Sequence, residues 1–533
     1  MNYDYIIVGG GSAGCVLANR LSADGRSTVL LLEAGPADTY PWIHIPIGYG
    51  KTMLHPILNW GFNTEPNEHM NGRQVYWPRG RTLGGSSAIN GLIQIRGQPE
   101  DFDLWESMGA EGWGRDEALR YFIKSESNSR GASAFHGDSG PLSVSDIGER
   151  SELVDAFIRG CGDLGIPPTD DFNGATQEGA GYLQLTTRRG WRCSTAVGYL
   201  RPARRRANLR VVTGAHATGV TVEGGRAVGV RYRGPAGDAT ARAAREVLLC
   251  AGALQSPQLL QLSGIGPAAL LQQHGVPVIR DLPGVGENLQ DHLALRFLYK
   301  CTKPITTNDD LRTLFGKVRI GLKFALQRRG PLAIGVMTGA MITRLEPGAA
   351  TPDVNYFLST VSAEARGAAP HPWPGFTLAY YPFRPTSRGH VRIKSADPFA
   401  APAMQANYLS TDYDRRMMIA GARMARRIAA TPSFGPYVLE ELQPGRAVDS
   451  DEAILDAVRD HGSSGYHPVG TCRIGRDAGA VVDPRLRVHG VAGLRVADAS
   501  VMPTLVSGNT NAATIMIAEK AADMILEDRD RAA

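Results

Sequence analysis

The amino-terminal stretch joins an apolar run to a glycine-rich turn and reads Tyr5-Ile6-Ile7-Val8-Gly9-Gly10-Gly11-Ser12-Ala13-Gly14. Apolar residues at helical spacing follow, and a second apolar run, residues 28–32, ends in Glu33. A strand, a glycine turn, a helix and a second strand are the parts of a βαβ unit that binds dinucleotides. The sequence therefore predicts an α/β fold that begins with a Rossmann-like domain.

The glycines and the acid of this stretch have separate physical roles. Gly9 permits the tight turn, Gly11 lets the backbone approach a pyrophosphate, and Gly14 lets the helix pack closely on the strand. The amino terminus of the helix then faces the phosphate charge. Glu33 can accept a hydrogen bond from a ribose hydroxyl and disfavours the phosphorylated ribose of NADP. This pattern alone does not separate NAD from FAD, although its place at the start of the chain favours FAD.

Composition excludes several classes of protein. Among 533 residues, 57 Lys and Arg against 52 Asp and Glu give a formal net charge of +5, too little for a dedicated nucleic-acid binder. The six cysteines form no CxxC pair, which argues against a disulfide framework or a structural zinc site and favours a reducing cytoplasm. We find no secretory signal pattern, no apolar run of about 18 residues and no HExxH-like metal motif. A cytoplasmic protein without a metal is expected.

Two further glycine-rich segments carry a family resemblance. They are Gly80-Arg81-Thr82-Leu83-Gly84-Gly85-Ser86-Ser87-Ala88-Ile89-Asn90-Gly91 and Gly252-Ala253-Leu254-Gln255-Ser256-Pro257 with its continuation to residue 266. Together with the amino-terminal turn they resemble the glucose–methanol–choline (GMC) family of flavin oxidoreductases. The resemblance is greatest to the choline dehydrogenase and aliphatic alcohol dehydrogenase branch, and residues 283–292, 466–472 and 496–503 agree with it.

The resemblance implies a bound FAD and the residues around it. Some relatives link FAD covalently through a histidine where this chain has Ile89, so non-covalent FAD is expected. Asp498 has a second interpretation, as the cap of a turn or helix. The residues expected to contact FAD are Gly9, Gly11, Ser12, Ala13, Gly14, Glu33, Ala34, Leu83, Gly85, Asn90, Gly91, Ile93, Ala217, Asp498, Ala499, Asn511 and Ala512.

The resemblance also implies a catalytic pair. Alcohol oxidation requires a base for the hydroxyl proton while hydride moves to flavin N5. His467 matches the family's active-site histidine, with a structural histidine as the alternative. Asn509 matches its partner, an amide that can donate to the substrate oxygen but cannot titrate, and Asn511 is the alternative for that role. Asp291 and His292 are interpreted as residues of a capping or cofactor loop.

The family order of motifs implies a discontinuous cofactor domain. It comprises residues 1–154, 201–299 and 461–533, and residues 155–200 and 300–460 form a substrate-binding (cap) domain on an antiparallel sheet. Alternation in residues 389–394 predicts one strand of that sheet.

The segment 311–329 combines an apolar helical stripe with basic residues. Apolar residues fall at 311, 314, 315, 318, 322, 325 and 326, and the cations are Arg312, Lys317, Arg319, Lys323, Arg328 and Arg329. Two interpretations stay open. The helix rests on the inner face of a membrane as a peripheral contact, or it covers the active site with a solvated basic face.

The function expected from these features is FAD-dependent oxidation of a primary alcohol to an aldehyde. The electron acceptor is a quinone, a dye or another acceptor. An oxygen-using alcohol oxidase, a lyase or photodecarboxylase of the same fold, and a nicotinamide dehydrogenase are the alternatives. Choline would need an aromatic cage and a carboxylate, which the sequence does not reveal, so a neutral primary alcohol is favoured. The oligomeric state is not predicted.

Overall fold

The computed structural model describes residues 2–335, 337–365 and 367–531. Over these residues, two seven-stranded sheets are the largest sheets, and each lies against its own buried apolar core. Their strands, in chain order, are β1 Asn2–Val8, β2 Val29–Glu33, β3 Gly179–Tyr182, β4 Leu209–Thr213, β5 His216–Glu223, β6 Arg226–Gly234, β7 Gly237–Leu249, β8 Leu293–Cys301, β9 Met337–Thr343, β10 Val354–Ser359, β11 Gly375–Pro382, β12 Val438–Gln443, β13 Ser463–Ser464 and β14 Leu494–Val496.

The longer helices surround these sheets. They are α1 Ser12–Leu21, α2 Pro99–Ser107, α3 Arg115–Ser125, α4 Glu152–Asp163, α5 Gly252–Leu262, α6 Leu314–Gln327, α7 Asp412–Ala429, α8 Asp451–His461 and α9 Thr510–Arg531. Over the described residues, no helix has both the length and the apolar character needed to span a bilayer.

The first sheet has the order β4-β2-β1-β7-β6-β5, with β14 beside β7. Strands β4, β2, β1, β7 and β14 run parallel, and β5, β6 and β7 form an antiparallel extension. All five residues of β2 are buried, as expected for a parallel strand covered on both faces. The predicted α/β fold with a Rossmann-like start is therefore confirmed.

The second sheet has the order β12-β8-β11-β10-β9-β3, with β13 beside β8, and its neighbouring strands are antiparallel. Alternate residues of β10 and β11 point to opposite faces. Tyr356 and Tyr380 enter an apolar core with Phe157 of α4 and Met418 of α7. The opposite face of this sheet is turned toward the carboxyl ends of the parallel strands, where the cavity described below lies.

Some elements differ from their predicted places. Within residues 389–394, strand His390–Arg392 pairs with Ala403–Gln405 in a separate ribbon and not with the large antiparallel sheet. The reason is that its backbone bonds elsewhere, since the Val391 N–H donates to the Gly286 carbonyl at 2.7 Å. The predicted domain boundaries at 154/155 and 299/300 fall inside α4 and β8, so the division into domains stays a prediction.

The basic segment folds into two helices where a single helix was expected. Residues Thr307–Arg312 form a short helix, and α6 follows after Thr313, whose φ of −106° and ψ of 151° are extended. The Thr313 side chain accepts a hydrogen bond from the Gly316 N–H and thereby caps α6. A threonine with this capping role separates the two helices.

Candidate active site

One large cavity lies where the two sheets face each other. Its volume is about 920 Å³, near the upper end of the roughly 300–1,000 Å³ usual for ligand pockets. Val8 at the end of β1, Glu33 at the end of β2 and Cys250 just beyond β7 line it. Ligands of doubly wound sheets bind at this edge, outside the carboxyl ends of the parallel strands.

The glycine-rich segments pack backbone against backbone at this edge. A Cβ atom on Gly14 would lie 1.9 Å from the Gly9 carbonyl oxygen, so only glycine allows α1 to approach the strand. Gly85 has a φ of +51°, and a Cβ atom there would lie 2.6 Å from the Gly11 Cα. On Gly11 itself, a Cβ atom would meet nothing nearer than 3.9 Å. The backbone at Gly11 is therefore open toward the cavity at the amino terminus of α1, the arrangement that binds a pyrophosphate.

Glu33 is held between two backbone donors beside this turn. Its carboxylate oxygens accept hydrogen bonds from the N–H groups of Gly10 at 2.8 Å and Gly35 at 2.7 Å. Burial raises the pKa of Glu33 to about 7. Each carboxylate oxygen has a second lone pair, so the side chain can still accept a hydrogen bond from a ribose hydroxyl.

Most residues predicted to contact FAD line the cavity. Gly14, Leu83 and Ala512 do not, and they are packed behind its wall. Those that line it are Gly9, Gly11, Ser12, Ala13, Glu33, Ala34, Gly85, Asn90, Gly91, Ile93, Ala217, Asp498, Ala499 and Asn511. Sequence reasoning missed Arg192, whose Nη1 donates to the Asn90 Oδ1 at 2.7 Å and whose pKa burial lowers to about 9.

The Asp498 carboxylate has structural partners. One oxygen accepts from the Ser500 N–H at 2.8 Å, and the other accepts from the Gly252 N–H at 2.8 Å and the Ser256 hydroxyl at 2.6 Å. Asp498 thus caps a turn and ties the start of α5 to the end of β14. These contacts match its second interpretation, and the residue also borders the cavity.

His467 lines the cavity and is fixed there by its backbone. Its N–H donates to Asp291 Oδ1 at 2.7 Å, and the other Asp291 oxygen accepts from the hydroxyls of Ser464 and Tyr408. The preceding Tyr466 has a left-handed φ of 68°, a conformation uncommon for a bulky residue. A buried carboxylate therefore positions the histidine through the main chain.

A second histidine determines which nitrogen of His467 carries hydrogen. His292 Nε2 lies 2.9 Å from the Phe383 carbonyl oxygen, which can only accept, so that nitrogen is protonated. Burial lowers the pKa of His292 to about 3, so its ring is neutral near pH 7 and its Nδ1 is an acceptor. His467 Nδ1 lies 2.9 Å from that Nδ1 and must donate to it. The lone pair of a neutral His467 is therefore on Nε2.

Asn509 stands beside that lone pair. Its Nδ2 lies 3.0 Å from His467 Nε2, and both residues line the cavity. Asn509 Oδ1 is buried and has no hydrogen-bond partner among the described residues. Asn511 is engaged elsewhere, because its Oδ1 accepts from the Ser12 hydroxyl at 2.8 Å. Because the Nε2 lone pair faces the amide, Nδ2 donates to it. A hydroxyl group that replaces this contact can give its proton to Nε2, and the freed amide N–H can donate to the hydroxyl oxygen.

Away from the ends of the parallel strands, the cavity lining includes apolar residues and cations. Leu92, Met337 and Phe357 contribute apolar surface. Over the described residues, Glu33 and Asp498 are the carboxylates that line the cavity, and both lie at the ends of the parallel strands. Aromatic side chains such as Trp60 and Tyr381 also line the cavity, but over the described residues no lining carboxylate lies away from the strand ends to complete a cage for a quaternary ammonium.

Sequence reasoning missed the contact of His292 with His467. The Asp291–His292 pair was interpreted as part of a capping or cofactor loop, and the two histidines are 175 residues apart. The only signal was an Asp-His dipeptide in residues 283–292. Tyr381, whose ring stacks on His292 with centroids 4.4 Å apart, was also missed because it lies on a strand of the second sheet.

A Rossmann-like edge facing a second sheet, with an imidazole and an amide paired in the cavity between them, is typical of a dinucleotide-dependent oxidoreductase. Comparison with known proteins agrees. The sequence matches the GMC oxidoreductase family in its amino-terminal part over residues 3–294 and in its carboxyl-terminal part over residues 385–518. The chain belongs to the GMC oxidoreductase family. It is an FAD-dependent oxidoreductase that is similar to alcohol and choline dehydrogenases.

Individual relatives match over almost the whole chain. An "Alcohol dehydrogenase [acceptor]" of Pseudomonas putida is 43% identical over 537 residues, which cover 99% of this chain and 97% of the relative. An "Oxygen-dependent choline dehydrogenase" of Brucella ovis is 42% identical over 528 residues, which cover 99% and 96%. A solved structure of a formate oxidase from Aspergillus oryzae RIB40, studied for its FAD modification, has a TM-score of 0.92 and 27% identity and covers 99% of each chain.

Proposed function

We propose that this protein oxidises a neutral primary alcohol to the aldehyde and passes the electrons to a quinone or another acceptor. The observation that carries the proposal is the pair His467–Asn509, with the proton-accepting Nε2 of the histidine 3.0 Å from the amide donor. A base and a donor placed together in this way suit removal of a hydroxyl proton.

The residues at the sheet edge suit FAD because they leave backbone open and donors directed inward. Gly11 and the amino terminus of α1 would hold the pyrophosphate, Glu33 a ribose, and the segment 85–93 the ring system. When bound, FAD supplies the acceptor for the hydride of the alcohol. Ile89 stands where some relatives carry the linking histidine, so we propose that the cofactor is held without a covalent bond.

The chain's own residues manage the proton and the oxygen. The alcohol hydroxyl would lie against His467 Nε2, which takes its proton, and the Asn509 amide would donate to the oxygen. His292 keeps the Nδ1 hydrogen of His467 engaged, so the proton is accepted at Nε2 and at no other ring atom. Asp291 fixes the main chain of His467, from which the ring projects into the cavity.

The charges that line the cavity support a neutral alcohol over choline. In the described residues Glu33 and Asp498, at the ends of the parallel strands, are the carboxylates that line the cavity, and the lining also includes the cations Lys51, Arg296 and Lys317. A quaternary ammonium would meet like charge there, whereas an aliphatic or aromatic alcohol would bury its apolar part against Met337 and Phe357.

The test is anaerobic reduction of the enzyme-bound flavin by a panel of alcohols, including choline and its uncharged isostere 3,3-dimethyl-1-butanol. We expect the visible flavin band to bleach with neutral primary alcohols and faster with the isostere than with choline. Faster bleaching with choline would contradict the assigned substrate class. No bleaching with any alcohol would favour a lyase.

A second candidate is an oxygen-using alcohol oxidase. Its support is that one relative is named as oxygen-dependent and that a solved neighbour is an oxidase. Oxygen consumption and hydrogen peroxide release during turnover, measured beside reduction of a quinone analogue, decide between the two acceptors.

A further inference from the structure

Helix α6 presents its apolar residues to solvent. Gly316, Ile320 and Phe324 are buried against the protein. On the opposite side lies what we term the outer stripe, with exposed side-chain fractions of 79% for Leu314, 79% for Phe315, 51% for Val318, 56% for Leu322 and 80% for Leu326. Because residues advance about 100° each around a helix, these five form one continuous apolar face.

Such a concentration of exposed large apolar residues is unusual for a protein surface. Scattered single residues are normal, but a contiguous apolar face marks a site that contacts another apolar body. A surface helix usually turns its apolar face toward the protein and its polar residues toward solvent. Helix α6 instead buries a glycine and two apolar residues and leaves its larger apolar face exposed.

Cations flank the outer stripe. Around the helix, Lys317 lies on one side of the stripe and Arg319 and Lys323 lie on the other. Arg319 pairs with Asp310, and Lys323 pairs with Glu149 at 2.6 Å. Three more exposed cations, Arg312, Lys317 and Arg329, make no ion pair over the described residues. The apolar face therefore has a positive border that is only partly neutralised.

The same helix borders the active-site cavity. Lys317 and Ile320 of α6 and Leu311 of the preceding short helix line the cavity. The outer stripe thus faces away from the protein on a helix whose other side borders the cavity.

We propose that the outer stripe docks onto the surface of a membrane that contains anionic lipid. Apolar side chains between two rows of cations match the boundary between acyl chains and anionic headgroups, because long basic side chains reach the headgroups while the stripe enters the apolar layer. A second copy of the chain fits less well, since a two-fold contact between two stripes would bring the same unpaired cations together.

Docking in this position has a consequence for the chemistry. If the proposed alcohol oxidation is correct, a lipid-soluble alcohol or quinone passes from the bilayer to the cavity beside α6 without crossing water. This consequence rests on the proposed function, whereas the docking itself does not.

The experiment is co-sedimentation of the FAD-loaded protein with phosphatidylcholine vesicles, with and without phosphatidylglycerol. The wild type should sediment with the anionic vesicles. The double variant Phe315→Ser/Leu322→Ser should lose at least about tenfold in its partition coefficient. Leu439→Ser, which changes an apolar residue 63% exposed on β12, is the matched control and should sediment like the wild type. Arg329→Gln should weaken binding to anionic vesicles only, and Arg205→Gln is its control.

Several results would overturn the proposal. The first is that the wild type stays in the supernatant with both vesicle types. The second is that the double variant sediments as well as the wild type. The third is that the wild type is a dimer, binds no vesicles and becomes a monomer when Phe315 and Leu322 are replaced. Dye reduction by a water-soluble alcohol without vesicles is measured in parallel and should stay within about twofold of wild type. A wild type that reduces no dye with any alcohol would contradict the proposed function and would leave the docking proposal unaffected.

Discussion

His292 and His467 contact each other through their Nδ1 atoms, an arrangement in which one nitrogen must donate and the other must accept. The Phe383 carbonyl and the low pKa of His292 decide the direction. In many enzymes a carboxylate fixes the tautomer of a catalytic histidine and also stabilises its charged form. Here a neutral ring fixes the tautomer without supplying a negative charge.

The acceptor for the His467 Nδ1 hydrogen, His292 Nδ1, can be removed by mutation. Replacing His292→Leu removes it and frees the His467 ring to turn, so flavin reduction by an alcohol should slow roughly tenfold to a hundredfold. The pH profile of flavin reduction should change as well, because both tautomers of His467 become accessible. His292→Asn places an acceptor oxygen near the position of Nδ1 and should recover part of the rate.

FAD content and the thermal midpoint serve as controls for these two variants. A purely structural role would lower the midpoint in both and leave the pH profile unchanged. An unaltered rate and profile in His292→Leu would contradict the positioning role.

At the level of single residues, the sequence predicted what local geometry requires. Gly9, Gly14 and Glu33 were placed by the spacing of a βαβ unit, and Gly14 packs on the Gly9 carbonyl as that unit requires. The contact of Glu33 with a ribose stays a prediction. The family resemblance pointed to His467, which lines the cavity. His292 could not be predicted in its observed place, because its partner is 175 residues away and the contact depends on how two sheets meet.

Among the structural elements, the glycine-rich segments leave the least room for an added side chain. Gly85→Ala would place a Cβ atom 2.6 Å from the Gly11 Cα at a φ of +51°. The turn that faces the pyrophosphate must then shift, so the purified variant should retain markedly less FAD per chain. Gly162→Ala on α4, where a Cβ atom meets nothing within 4 Å, is the control. Equal flavin absorbance in the two variants would contradict the role of this loop contact.

A buried ionic cluster gives the fold a pH dependence of known sign. His136 contacts Asp171 at 2.8 Å and Glu126 at 2.7 Å, and these hydrogen bonds raise its pKa from 6.5 to about 9. Because the folded pKa lies above the unfolded one, the stabilisation is complete below pH 6.5 and is lost as the pH rises through about 9. The loss amounts to roughly 1.4 kcal/mol per pH unit in that interval.

The measurement is the thermal midpoint across this interval. The wild type should lose stability as the pH rises, and His136→Gln should be less stable at low pH but show a flatter dependence. His461→Gln, at an exposed position, should follow the wild type. A parallel decline in wild type and His136→Gln would exclude this cluster as the cause.

The strands of the parallel sheet were predictable because each is a short apolar run in local sequence, as in β1 and β2. Residues His390–Arg392 form a strand as predicted, but the predicted pairing with the large antiparallel sheet was wrong, because the strand pairs with Ala403–Gln405. Alternation reports which face of a strand is buried and carries no information about the neighbouring strand. The division of the basic segment at Thr313 depends on one side-chain cap.

For the whole molecule, the antiparallel sheet supplies one wall of the cavity and the parallel sheet supplies the other. The second sheet collects strands from residue 179 to residue 464, and pairings over such distances leave no periodic signal. The sequence therefore predicted that such a sheet exists, through the family resemblance, and did not predict which of its residues meet His467.

The central claim is that His467 accepts the proton of an alcohol as the bound flavin is reduced, and anaerobic stopped-flow reduction of wild type and His467→Ala tests it most directly. The wild type should bleach on mixing with a neutral primary alcohol. The variant should keep its FAD and bleach about 10²- to 10⁴-fold more slowly. A variant that retains FAD and is reduced at the wild-type rate would contradict the account.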